Sequence, residues 1–82
     1  MFTGIIEALG TIEAVKEAGG NRIFEVSSPL SEHLKVDQSV SHNGVCLTVE
    51  AIAGNTYQVT AVAETLQKSN AGDWKAGTLV NL

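Results

Sequence analysis

The sequence predicts an all-β fold, a small antiparallel barrel of six strands with one or two short helices. Three observations carry that expectation. Apolar and polar residues alternate with a period of two over most of the chain, the signature of strands with one buried face. Two-residue turn signals recur between the alternating stretches, at Gly19-Gly20, Asn43-Gly44 and Gly54-Asn55. The connections are too short for βαβ crossovers, which need a dozen or more residues each. Closing such a small sheet into a barrel is economical because it removes exposed strand edges.

The elements follow in order. Ile6, Ala8, Gly10, Ile12 and Ala14 alternate with Glu7, Leu9, Thr11 and Glu13, which predicts a long first strand with the even positions on one face. Gly19-Gly20-Asn21 turns the chain into a second strand, Arg22 to Ser27, completing a hairpin. Pro29 to Leu34 reads as one helical turn, with Ser28 as its N-cap and Pro29 at the first helical position. Ser39–His42 and Val45–Ile52 flank Asn43-Gly44, and Gly54-Asn55 leads into Thr56–Val62. The alternation is lost from Ala63 to Asn70, where a short helix is expected, and Leu79–Asn81 forms a last strand. No internal repeat or low-complexity segment is evident.

At 82 residues the chain makes one domain, spanning 1–82. A chain of this size buries only about 60–65% of the surface its unfolded form exposes, so its stability margin is thin. Charged residues make up 17% of the sequence, below the usual ~25%, leaving a bland surface able to hide an interface. The net charge of −4, with only five scattered Lys and Arg, argues against a nucleic-acid partner. A single cysteine, Cys46, rules out an internal disulfide and a multi-cysteine zinc site, and a free thiol fits the reducing cytoplasm. The first residues lack the basic and apolar regions of a signal peptide, and no run of ~18 apolar residues suggests a membrane span.

The stretch Val45 to Glu50 is the most informative chemically. With Val45, Leu47 and Val49 facing the core, Cys46, Thr48 and Glu50 point outward. On the next strand Tyr57, Val59 and Ala61 share the inner face, leaving Gln58, Thr60 and Val62 outside. A thiol, two hydroxyls and an amide then line one surface suited to a neutral, hydrogen-bonding ring system. Pattern alone favours the plainer reading of Cys46 as a small buried hydrophobe, the usual state of a lone cysteine. His33 and His42 have no partners at metal-ligand spacing, so no metal is expected. His33 reads as a solvated helix-end residue, His42 as a structural hydrogen-bonder, Trp74 as core or interface anchor, and Glu64 as an acid in a helix's first turn. Nucleophile-elbow, phosphate-loop and dinucleotide-binding motifs are absent.

Four motifs, taken together, resemble the riboflavin synthase family. Met1-Phe2-Thr3-Gly4-Ile5-Ile6 is similar to the family's MFTGI start, and Asn43-Gly44-Val45-Cys46-Leu47-Thr48-Val49 to its NG-x-CLTV signature. Glu64-Thr65-Leu66 resembles its ETL element, and Lys75-Ala76-Gly77-Thr78-Leu79-Val80-Asn81 its K-x-G-x-x-VN ending. The resemblance covers the whole chain and implies a Greek-key barrel, the N-terminal half of a two-barrel subunit in a homotrimer. It implies an enzyme that moves a four-carbon unit between two molecules of 6,7-dimethyl-8-ribityllumazine, giving riboflavin and a pyrimidinedione without a cofactor. The ligand is then expected against Gly4, Ile5 and Ile6, against Cys46, Leu47 and Thr48, and against Thr60, Ala61, Val62, Ala63, Glu64 and Thr65. Cys46 is a candidate nucleophile or polar contact, and Phe2 and Ser39 match positions implicated in activity.

Where the family commonly carries Asp, Leu and Met before its ETL element, this chain has Thr60-Ala61-Val62-Ala63. One barrel alone is expected to bind ligand with little or no turnover and to pair as a homodimer. A non-enzymatic lumazine- or flavin-carrying antenna or storage protein is the second reading, and a purely structural barrel the third.

Overall fold

The structure is a computed structural model that describes residues 8–82. Six strands form one antiparallel sheet: β1 (Leu9–Ala18), β2 (Asn21–Ser27), β3 (Ser39–His42), β4 (Val45–Ala53), β5 (Thr56–Ala61) and β6 (Leu79–Asn81). Their spatial order is β3-β4-β5-β2-β1-β6. The meander β3-β4-β5 with β2 returning beside β5 is a Greek key. The sheet curls until its outer strands meet. Asn43, at the end of β3, donates its backbone N–H to the Asn81 carbonyl of β6 (2.8 Å) and accepts the Asn81 N–H on its side-chain oxygen (2.7 Å). Among the described residues no helix is long and apolar enough to cross a membrane.

Turn chemistry sets the hairpins. Asn43 and Gly44 both have positive φ (51° and 87°), the geometry that matches the right-handed twist of the flanking strands and that Asn-Gly accepts cheaply. A 3-10 turn at Pro29–His33 is capped by Ser28, whose hydroxyl accepts the Leu30 N–H at 3.1 Å. A short helix, α1 (Ala63–Lys68), follows β5 and leads into a second 3-10 turn, Asn70–Asp73, capped by Ser69 on the Ala71 N–H at 3.2 Å. The sequence predicts a short helix over 63–70; the helix ends at Lys68 and the backbone tightens into the 3-10 turn from Asn70.

Two bulges change the faces that strict alternation assigns. In β1 the register slips between Ile12 and Ala14, so Glu13 is an extra residue facing outward. Ile12 is buried before the slip, but after it Val15, opposite buried Phe24, takes the inner face in place of Ala14. The first strand also runs on to Ala18, beyond the expected end at Ala14. In β4 the slip lies between Val49 and Ala51, so Glu50 and Ala51 are both exposed and Ile52 turns inward.

The barrel has an internal pseudo-twofold axis that the sequence reading misses: β1-β2-turn-β3 repeats as β4-β5-turn-β6. The two hairpins correspond, β3 pairs with β4 as β6 pairs with β1, and β2 and β5 pair across the axis. Both hairpins carry their bulge at a glutamate, Glu13 and Glu50. The residue before each bulge makes the same two bonds. Ile12 donates to the Thr78 carbonyl (2.8 Å) and accepts from Gly77 (2.7 Å), while Val49 donates to Gln38 (2.8 Å) and accepts from Asp37 (2.8 Å). Gly77 and Asp37 both have positive φ. At Gly77 and Asp37 it is backbone geometry, not side-chain identity, that repeats.

The interior is filled. Phe24 and Trp74 stack at a tilt with centroids 5.4 Å apart, and Tyr57, Val26, Val40, Val49 and Val59 pack around them with almost no exposure. His42 is buried among them. Its Nδ1–H donates to the Val40 carbonyl (2.9 Å), so Nε2 accepts the Tyr57 hydroxyl (2.7 Å). Burial is the main cause that pulls the His42 imidazole down to about 4, against smaller opposing hydrogen bonds to the Val40 and Val45 backbone. Burial pushes the Tyr57 phenol far above its ordinary range. Trp74 is thus a core residue, His42 the structural hydrogen-bonder its sequence context suggests, and His33 an exposed residue of the first 3-10 turn.

Candidate functional site

With the core full, chemistry is left to the outer wall. Strand pairing sets Ser39 opposite Thr48 and Ser41 opposite Cys46, so two serines, a threonine and the thiol lie together on the outer face of β3 and β4. Cys46 is exposed, which corrects the pattern-based preference for a buried thiol. The reason is register: Val45, Leu47 and Val49 take the inner positions, and a residue between them has to face out.

The bulge extends this surface to β5. Glu50 Oε1 accepts both from Thr60 Oγ1 (2.8 Å) and from Gln58 Nε2 (3.0 Å). That bond ties Thr60 to the same outer wall as Thr48. Sequence reasoning placed Glu50, Gln58 and Thr60 on one face but gave the carboxylate no task; Glu50's place on the outer face of β4, across from two donors on β5, was the available signal.

The other expected residues divide into three groups. Leu47 and Ala61 are buried and point inward, so they present only backbone to the outer surface. Val62, half exposed, and exposed Ala63 and Glu64 lead from β5 into α1, while Thr65 is partly buried one turn on. The Ala63 N–H is held by the Asn21 side chain (3.1 Å), which pins the start of α1 to β2. Phe2, Gly4, Ile5 and Ile6 lie outside the described residues. Among the described residues no cluster of three or more His, Cys, Asp or Glu is arranged to hold a metal.

An open groove lies elsewhere on the wall. Leu9, Thr11, Ser27, Ser28, Pro29, Glu32 and Asn55 line its volume of about 370 Å³. None of these residues is among the candidate site residues named from sequence.

The family model described as the lumazine binding domain matches residues 3–82. The chain belongs to the lumazine binding domain family. This lumazine binding domain is 39% identical over 83 residues to the riboflavin synthase of Bacillus subtilis (strain 168), in an alignment covering all of the chain and 39% of that protein. The riboflavin synthase of Photobacterium phosphoreum is 40% identical over 86 residues, with 38% of its length covered. That of Escherichia coli (strain K12) is 38% identical over 84 residues, with 39% covered. The domain therefore spans well under half the length of these relatives. Its fold matches the crystal structures of LumP complexed with 6,7-dimethyl-8-(1'-D-ribityl) lumazine (TM-score 0.89) and with riboflavin (TM-score 0.91). Both are 23% identical to it, cover the whole chain and are matched over 46% and 45% of their own length.

Proposed function

We propose that this lumazine binding domain, residues 1–82 acting as one unit, holds 6,7-dimethyl-8-ribityllumazine or riboflavin on the outer wall of β3, β4 and β5. In this reading it forms the N-terminal half of a two-barrel, cytoplasmic riboflavin synthase. The observation that carries the reading is the gathering of Ser39, Ser41, Cys46 and Thr48 on one exposed face by the β3–β4 register. Hydroxyls and strand-end backbone groups suit the carbonyl and ring-nitrogen edge of a neutral heterocycle, which wants donors and acceptors but no counter-charge.

The chemistry asks little more of the protein. The 7-methyl group of the lumazine is acidic because its carbanion delocalises into the ring. The enzyme's work is to align two rings and to stabilise charge as it builds. Thr48 and the Leu47 backbone meet the developing charge at the ring edge, and the Cys46 thiol adds a polar contact or a nucleophile. Ser39 and Phe2 are assigned supporting roles in activity, and the Thr60–Thr65 segment with Gly4–Ile6 completes the cleft. A reaction between two bound rings needs two barrels. The isolated domain therefore binds with little or no turnover, pairs as a homodimer, and belongs in the full-length enzyme to a homotrimer.

The test is a fluorescence titration of the purified chain with each ligand, repeated on Cys46→Ser and Thr48→Ala. Saturable binding, weakened about tenfold by Thr48→Ala through loss of a hydrogen bond at the ring edge, is expected. A folded wild-type chain that binds neither ligand, or variants that bind as well as wild type, would overturn the assignment.

A further inference from the structure

The pseudo-twofold axis relates the proposed ligand wall to a second one. Aligning Ile12 with Val49, the residues before the two bulges, superposes β1 on β4 position by position. Leu9 then corresponds to Cys46, Thr11 to Thr48 and Glu13 to Glu50. The strand pairs carry the match outward. Thr11 faces Leu79 as Thr48 faces Ser39, so Leu79 stands for Ser39. Ile12 pairs with Val26 as Val49 pairs with Val59, so Ser27 stands for Thr60, with Ser28 and Pro29 standing for Ala61 and Val62.

Three independent features converge at this equivalent place. The groove of about 370 Å³ is lined by Leu9, Thr11, Ser27, Ser28 and Pro29, the counterparts of Cys46, Thr48, Thr60, Ala61 and Val62. The hydrogen bond that ties Thr60 to its bulge glutamate is repeated: Ser27 Oγ donates to Glu13 Oε2 at 2.6 Å, as Thr60 Oγ1 donates to Glu50 Oε1 at 2.8 Å. Finally, Leu9 and Leu79 are 57% and 61% exposed, two large apolar side chains on the outer wall that the fold itself does not use. Set where Cys46 and Ser39 sit on the other half, they present an apolar wall to a flat ring beside the hydroxyls of Thr11 and Ser27.

We propose that the β1–β2 groove is a second binding site for the same class of ligand, a flat heteroaromatic ring bearing a hydroxylated chain. The ring packs on Leu9 and Leu79, with Thr11 and Ser27 at its polar edge and the Glu32 and Asn55 side chains at the far end of the groove as partners for the chain hydroxyls. This rests on the proposed function of the β3–β4–β5 wall. Leucine in place of Cys46 and of Ser39 removes two polar contacts, each worth up to about tenfold in affinity. The second site is accordingly the weaker by roughly 10- to 100-fold.

The experiment is an amide-resolved NMR titration of the full chain with 6,7-dimethyl-8-ribityllumazine, carried to millimolar ligand. Two saturable events are expected: a tighter one shifting Cys46–Thr48 and Thr60, and a weaker one shifting Leu9–Thr11, Ser27 and Asn55. Leu9→Ala combined with Ser27→Ala should abolish the weaker event and leave the tighter one intact, and Thr48→Ala should weaken the tighter event about tenfold without touching the weaker one. The tighter event alone, with no saturable shifts around Leu9 and Ser27, overturns the second site and leaves the first standing. Shifts that grow linearly over the whole surface likewise overturn it. Binding at neither wall sinks the proposed function itself. Both double and single variants keep the buried core unchanged, so retention of the wild-type amide pattern without ligand reports that each has folded.

Discussion

Acidification should weaken this barrel through a single buried ring. His42 is fully buried and neutral, its Nε2 accepting the Tyr57 hydroxyl and its Nδ1–H given to Val40. Folding lowers its pKa from 6.5 to about 4, chiefly through burial. The unfolded chain therefore binds a proton that the folded chain refuses, and stability falls as pH falls. The contribution is fully present above 6.5, is lost progressively between 6.5 and about 4, and reaches its floor below that. At about 1.4 kcal/mol per pKa unit the whole effect is about 3 kcal/mol, and about 2 kcal/mol of it falls between about pH 7 and about pH 5. For a domain of marginal stability that is a large fraction. Urea denaturation across that window measures it. The comparison is the double variant His42→Leu, Tyr57→Phe, which removes both partners of the Nε2–hydroxyl bond together and costs the Val40 carbonyl only its imidazole donor. Wild type should lose its midpoint steadily on acidification while the double variant holds nearly level. Equal slopes for the two proteins would mean that His42 is not the group responsible.

Three further outcomes are expected. At Gly10 a Cβ would lie 2.8 Å from Val26 Cγ1 and 3.0 Å from Leu82 Cδ1; Gly10→Ala should cost about 1–3 kcal/mol by overpacking, read as a lower thermal midpoint. Asn43 supplies both a positive φ and the acceptor that clasps β6. Asn43→Gly, which keeps the backbone freedom and loses the clasp, should cost about 1 kcal/mol and speed amide exchange at Asn81, whereas Asn43→Ala should cost more. Exposed Cys46 should react readily with a thiol reagent in the free protein, and saturating riboflavin should slow that reaction; unchanged kinetics would place the ligand away from the thiol.

What the sequence made legible was local. Ser28-Pro29 announces a capped turn, Asn43-Gly44 a tight hairpin, and the alternation from Val45 to Val49 an inner and an outer face; each depends on residues next to one another in the chain. The bulges depend on pairing instead. Nothing in Glu13-Ala14 or Glu50-Ala51 states that an extra residue will be accommodated there. The cost is set by the partner strands, where Val26 and Glu25, or Val59 and Gln58, have to keep their own faces. The pseudo-twofold repeat was hidden for a related reason. Asp37 and Gly77 share a positive φ and a hydrogen bond but no side-chain chemistry, so a comparison of letters does not pair them. Missing the repeat also meant missing the groove at Leu9 and Ser27. Cys46 shows the limit of composition-level expectation, since a residue type that is usually buried goes outside when its strand's inner positions are already taken.

The same packing bears on where the proposed ligand sits and why that site is open on one side. A barrel this small closes over side chains. Phe24 lies against Trp74, the His42 ring is 6.3 Å from Trp74, and Tyr57 completes the stack, so aromatic rings occupy the interior among the described residues. In the proposed reading a heterocycle is held against the outer wall, with one face on protein and the other uncovered. For a carrier of a single ligand that would be a weakness. For chemistry that joins two copies of the same ring it is an advantage, because the uncovered face is where the second ring has to arrive. In the proposed site, Ser39, Ser41, Cys46 and Thr48 orient one ring through its edge without covering that face. Under the proposed function the covering surface comes from another barrel, and the modest polarity of this wall and the pairing of barrels then answer one requirement.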